Sequence, residues 1–206
     1  KNLTTAEGGA IALNLPAPFD NKSVYNFMRI YALHGQTKDA LAKSIERGWK
    51  YDVVVPGMKA NMTDVLAAIG IVEIGRYNSE TLKKLKWVFQ KYNELLSKYN
   101  WSELPIYEES DRSSAYHIYP LRIKNFTEAQ RDSVIQKCQE SGVMVNVHFQ
   151  PLPMFSLYKN LGYNIKDVPV SFRAYSGEIS LPVFYDITEE QIKMVVSTLA
   201  RAIQSI

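Results

Sequence analysis

The chain has 206 residues, 46% hydrophobic and 22% charged, an ordinary balance for a globular protein with material for one or two domains. A formal charge of +3 with dispersed lysines leaves no basic footprint for nucleic acid, and no apolar run reaches the ~18 residues of a membrane-spanning helix. Cys138 is the only cysteine, which excludes an intramolecular disulfide and a thiolate metal cluster; one helical turn after Val134, it reads as a buried core thiol. No segment reads as a signal peptide, so a cytoplasmic address is expected.

In chain order, Lys1-Asn2-Leu3-Thr4-Thr5-Ala6-Glu7-Gly8-Gly9 is a polar stretch with a glycine pair, and Glu7 to Asn14 reads as a short apolar strand. A lysine held in such a bend can lose solvation, which lowers its pKa and frees the amine to attack a carbonyl. On the residues alone, a surface lysine before a turn is the stronger reading. Gly8-Gly9 lacks the spacing of a phosphate-gripping loop. Pro16 and Pro18 break the strand, and Asn21-Lys22-Ser23 caps a helix to about Leu33, with Val24, Phe27, Met28 and Tyr31 on one buried face. Residues 35–56 show little periodicity, as expected of a functional loop.

The longest helical pattern starts after Asn61, capped by Asn61 or Thr63, bends near Gly75 and runs to about Tyr99. Val65 to Ile74 is apolar nearly all round, as for a helix buried in a core or an interface. Leu82, Leu85, Phe89, Tyr92, Leu96 and Tyr99 then form a single stripe. Beyond residue 103 a small α/β unit is expected. Its strands are Ser114 to Ile123, Val143 to Phe149 and Ile179 to Phe184, with Pro169 opening a short helix. Thr127-Glu128-Ala129-Gln130 and Thr188-Glu189-Glu190-Gln191 are capping boxes; Gly142 ends the first helix, and Ile192, Val195, Val196, Leu199 and Ile203 give the second its apolar face.

Few residues carry chemistry on spacing alone. His34, His117 and His148 have no short spacing that suits a metal, so none is expected. Lys59 and Asn61 precede a helix N-terminus, a place that attracts anions such as phosphate; a solvated lysine and a plain N-cap describe them too. His117 and His148 fall on expected strands, where a histidine is structural as readily as functional. Arg122 and Arg173 read as surface residues, and no G-x-S-x-G elbow supports a serine hydrolase.

Resemblance adds what spacing cannot. The Lys1–Gly9 stretch is followed by Leu33-His34-Gly35, Gly57-Met58-Lys59-Ala60-Asn61-Met62-Thr63-Asp64, Ala115-Tyr116-His117-Ile118-Tyr119, Val147-His148-Phe149 and Ile179-Ser180-Leu181-Pro182-Val183-Phe184. In this order, over nearly the whole chain, these segments resemble the DegT/DnrJ/EryC1/StrS sugar aminotransferases. The resemblance implies an α/β chain of the fold type I, aspartate aminotransferase-like class of pyridoxal 5′-phosphate (PLP) transferases. Residues 1–100 would end the large PLP-binding domain and include a long connecting helix; residues 101–206 would form the small C-terminal domain. It also places Lys1 near the middle of the family's chain, so a fragment is expected.

On the same resemblance Lys1 is the PLP lysine and the proton-transfer base, where family members that eliminate a hydroxyl carry histidine. Lys59 reaches the cofactor phosphate across a homodimer with shared sites, with Asn61 as a cofactor-binding candidate beside it, and His117 and His148 bind a nucleotide-linked keto sugar. His34 belongs to a turn. An amino acid, glutamate on the family pattern, donates the amine. Two other readings stay open: a PLP aminotransferase acting on a keto-cyclitol or other non-nucleotide ketone, and a cofactor-free binding protein on the same scaffold.

Overall fold

The computed structural model describes residues 1–38, 45 and 49–206. Part of the expected 35–56 loop therefore lies outside the described residues. The contacts divide the chain into two compact units, Leu3–Gly75 and Lys1–Asn2 with Arg76–Ile206.

In the unit 3–75, helix α1 spans Asn21–Tyr31 and helix α2 starts at Asp64 and reaches Arg76. Asp20, not the expected Asn21-Lys22-Ser23 trio, caps α1: its carboxylate accepts from the Ser23 N–H at 2.9 Å. Neither helix buries a residue within residues 1–206, so the apolar face expected to be buried on α1 finds no cover in this stretch of chain. Glu7 to Asn14 forms no strand, because no neighbouring strand among the described residues supplies its hydrogen bonds. The backbone of Leu33-His34-Gly35 instead pairs with the segment before α2. The His34 N–H donates to Met58 O at 3.0 Å, Met58 N–H to Tyr31 O at 2.7 Å and Ala60 N–H to Ala32 O at 2.9 Å. Gly35 has φ +74°, and a Cβ there would sit 1.7 Å from Val55 O; one at Gly57 would sit 2.4 Å from Gly35 N. Only glycines allow these chains to approach so closely.

The unit 76–206 has its own core. A π-helical turn, Tyr77–Thr81, follows α2 where the sequence expects a bend, and helix α3 covers Leu82–Leu96. Its stripe behaves as expected: Leu85, Phe89, Tyr92 and Leu96 are buried, with Val88 beside them. Strands β1 (Ser102–Glu103), β2 (Tyr119–Ile123) and β3 (Glu178–Leu181) form an antiparallel sheet in the order β1-β2-β3, with Tyr119 opposite Leu181 and Leu121 opposite Ile179. Alternation on β2 buries Tyr119, Leu121 and Ile123. Phe89 packs edge-on against Tyr116 and Tyr119, with ring centroids 5.3 and 5.0 Å away.

Helices α4 (Glu128–Glu140), α5 (Ser156–Asn160), α6 (Pro169–Ser176) and α7 (Glu189–Gln204) complete the unit, and α7 packs against α3 and α4. Both capping boxes form, at Thr127/Gln130 and Thr188/Gln191. Cys138 is fully buried and burial pushes its thiol up to about 11, as befits a core residue. Because α3 buries its stripe in this unit, the compact units part at Gly75, whereas the sequence expectation draws the line at residue 100.

Two strand expectations shorten. Residues 114–118 stay outside β2, with Tyr116 at φ +53°. Val143 to Phe149 makes only one bridge, between Asn146 and Ser180. Side chains take over its next backbone donors: Asn146 Oδ1 accepts from the Val147 N–H at 2.8 Å, and the Glu178 carboxylate accepts from the His148 N–H at 2.9 Å. With both donors satisfied locally, the ladder has nothing to continue on.

Candidate active site

In the unit 76–206, a cavity of about 530 Å³ is lined by His117, Asn146, His148, Ser180 and Pro182, among others. The irregular segment before β2 delivers His117, the Asn146–Ser180 bridge fixes the approach to His148, and β3 delivers Ser180. A second cavity, about 660 Å³, shares His148 and is lined by Arg122, Phe149, Tyr175 and Glu178. The structure brings His117 and His148 onto one cavity.

The first residues of the chain reach the same place. The Asn2 amide nitrogen donates to the Ala115 carbonyl, so its Oδ1 faces His117 Nδ1, at 2.9 Å. An amide oxygen only accepts, so His117 carries its proton on Nδ1. Burial, and then the positive charge of Lys1, hold His117 below the usual imidazole value. The ring is therefore neutral near pH 7, with Nε2 as its acceptor.

Lys1 itself is exposed, so the desolvation that the sequence argument requires is not supplied by residues 1–206. Lys59 and Asn61 lie in the unit 3–75, and they are hydrogen-bonded to each other, Lys59 Nζ donating to Asn61 Oδ1 at 2.5 Å. Asn61 is therefore not the cap of α2; the Thr63 hydroxyl takes that place, accepting from the Leu66 N–H at 3.5 Å. His34, exposed at φ +59°, belongs to a turn, as expected. Arg122 is ion-paired to Glu103.

Sequence reasoning missed two buried features. Glu178, 5% exposed, accepts from the Ser180 hydroxyl at 2.5 Å and from the His148 N–H, while His148 Nδ1 lies 2.9 Å from Ser180 Oγ. Burial pushes the Glu178 carboxyl above the ordinary range, opposed by its bonds to Ser180 and His148 and by the Arg131 charge. Arg131, 1% exposed, donates to Tyr175 O at 2.8 Å and lies over the Tyr175 ring, 4.5 Å from its centroid. Glu178 precedes an apolar strand run, so it carries no local sign of its partners; only the fold brings it to His148, 30 residues away. No group of side chains suited to a metal ion occurs among the described residues.

Residues 1–200 match the model of the DegT/DnrJ/EryC1/StrS aminotransferase family. The candidate sugar aminotransferase Spr1654 of Streptococcus pneumoniae superposes with a TM-score of 0.87 in its PMP form, at 32% identity, over 100% of this chain and 51% of that one. Its PLP form gives 0.86 and 29% identity over 100% and 50%. The Methanocaldococcus jannaschii protein MJ1066 is 31% identical, over 98% of this chain and 51% of its own. The UDP-4-amino-4,6-dideoxy-N-acetyl-beta-L-altrosamine transaminase of Campylobacter jejuni (serotype O:23/36) is 25% identical, over 100% and 50%. The chain spans about half the length of the curated relatives it matches.

Proposed function

The chain belongs to the DegT/DnrJ/EryC1/StrS aminotransferase family, and from that premise we propose that it is part of a PLP-dependent aminotransferase acting on a nucleotide-linked keto sugar. With the family comes the α/β, fold type I architecture, the fold class expected from sequence. The observation that carries the functional reading is the clasp of Asn2 on Ala115 and His117. It holds the residue next to Lys1 against the wall of the cavity that His148 also lines. Both ends of a transamination site, a lysine amine and a polar sugar-sized cavity, are thereby served by one unit of this chain.

The donor set fits PLP. Lys1 offers a primary amine to the cofactor aldehyde, and Lys59 offers an ammonium to the phosphate of the cofactor in the partner's site, with Asn61 as its hydrogen-bonded companion. Bound PLP supplies an electron sink for a carbanion. Lys1 Nζ holds the proton that moves between substrate and cofactor carbons. The neutral His117 offers Nε2 to a substrate hydroxyl, and His148 contacts the same substrate from across the cavity. Glutamate is the amino donor in this reading, and the substrate resembles the UDP-linked sugar named for the Campylobacter jejuni relative. The product would be an amino sugar for polysaccharide or a secondary metabolite.

The same reading makes the enzyme a cytoplasmic homodimer, with Lys59 and Asn61 reaching the phosphate in the partner's site. Support for a covering chain comes from α2, where Val65 and Ile71 are each 73% exposed. It keeps the remainder of the large domain upstream of Lys1 and the small domain at the C-terminal end. Replacing Lys1 by alanine in the full-length protein should abolish the visible absorbance band of the bound cofactor; a band that persists refutes the assignment. Thermal stabilisation by UDP-sugars, and not by keto-cyclitols, should identify the acceptor class.

A further inference from the structure

We propose that Glu178, acting through Ser180, sets the tautomer of His148, so that the imidazole presents an unprotonated Nε2 to the substrate cavity. The inference deepens the reading above and rests on it for the identity of the substrate, though not for the proton positions.

Those positions follow from counting donors. The His148 backbone N–H can only donate, and it donates to Glu178 Oε2. The bonds from Ser180 and His148 and the Arg131 charge favour an ionised Glu178 against the opposing pull of burial. In that form it can only accept, so at Oε1 it takes the single hydroxyl proton of Ser180, across 2.5 Å. With that proton committed, Ser180 Oγ has only lone pairs left for His148 Nδ1, 2.9 Å away. Nδ1 must then carry hydrogen. Nε2 has no partner among the described residues, and in the neutral ring it keeps its lone pair. Asn2 imposes the same tautomer on His117. In the neutral form both histidines on the cavity therefore offer Nε2 as acceptor, a pair suited to the hydroxyl groups of a sugar.

Burial strengthens the arrangement: Glu178 and Ser180 are each 5% exposed, so little water reaches either. The Asn146–Ser180 bridge, with its two backbone hydrogen bonds of 3.2 and 2.7 Å, holds the serine in register with the His148 segment. Glu178 is a positioning residue. It touches His148 and Ser180 and does not line the cavity assigned to the substrate.

The relay makes an unusual prediction for an isosteric change. In Glu178→Gln the amide oxygen must stay with the His148 N–H, which only donates. The NH2 group then faces Ser180 Oγ and donates to it. The Ser180 proton is released to His148 Nδ1, and the neutral ring must carry its hydrogen on Nε2. A residue that merely fills space would not invert a tautomer. Ser180→Ala removes the link and leaves the tautomer unspecified, whereas Ser180→Thr keeps a hydroxyl and restores the Nδ1–H form.

The test is 15N NMR of the histidine side chains in the full-length holoenzyme, with His148 assigned by its loss in His148→Gln. Wild type should show Nδ1–H at His148, and Glu178→Gln should show Nε2–H. An Nε2–H form in the wild type, or an unchanged tautomer in a folded Glu178→Gln, overturns the proposal. If that variant does not fold, the wild-type form and the Ser180→Ala and Ser180→Thr pair decide. In kinetics, Glu178→Gln should raise KM for a UDP-linked keto sugar roughly tenfold, the worth of one hydrogen bond, with the cofactor band unchanged. Absence of that band from the wild type would instead strike the functional reading and leave the tautomer result standing.

Discussion

Residues 76–206 close over an apolar core of their own, and residues 3–75 do not. In the first region α3, α7 and the sheet close over Phe89, Tyr92, Leu121, Ile179 and Leu199, all nearly inaccessible to solvent. In the second, Gly35 is the one buried residue among those described, and α2 exposes Val65, Ile71, Val72 and Ile74. The same hydrophobic effect acts on both, so the contrast concerns where the cover comes from. One region carries its core within this chain; the other presents apolar faces of the kind that proteins cover with further structure. The polar site follows the first region, where Glu178 and Arg131 can be buried because rigid neighbours satisfy them.

Substitutions in the full-length protein can sharpen that contrast. The largest effect is expected at Phe89→Ala, which empties the aromatic cluster around Tyr116 and Tyr119 and should cost about 3–5 kcal/mol by denaturant melting. Ile71→Ala tests the opposite region: with its helix face covered in the whole enzyme the loss should be about 2–5 kcal/mol, while a change under about 0.5 kcal/mol would mean the face stays in water. Gly35→Ala should cost about 1–3 kcal/mol from its positive φ alone, with the collision against Val55 O in addition. Thr188→Ala should cost about 1 kcal/mol, read as a lowered melting temperature, through loss of the α7 cap.

What could be read from the sequence was what is decided locally. The capping boxes at Thr127 and Thr188 need only four consecutive residues, and the stripe Leu85-Phe89-Tyr92-Leu96 needs only helical period; all formed as expected. Strands depend on partners elsewhere. Glu7 to Asn14 finds none among the described residues, and Val143 to Phe149 loses its donors to the Asn146 and Glu178 side chains. The site divides the same way. His117 and His148 were singled out through resemblance, but Asn2, 115 positions before His117, and Glu178, 30 after His148, show their roles only once folded.

The proposed transamination depends on the amine of Lys1. Treating the full-length holoenzyme with borohydride fixes any lysine-bound PLP as a stable adduct, and peptide mass spectrometry then locates it. The adduct should fall on Lys1, in the peptide that continues Asn2-Leu3-Thr4-Thr5. An adduct on Lys59 or any other lysine, or none at all, would contradict the account.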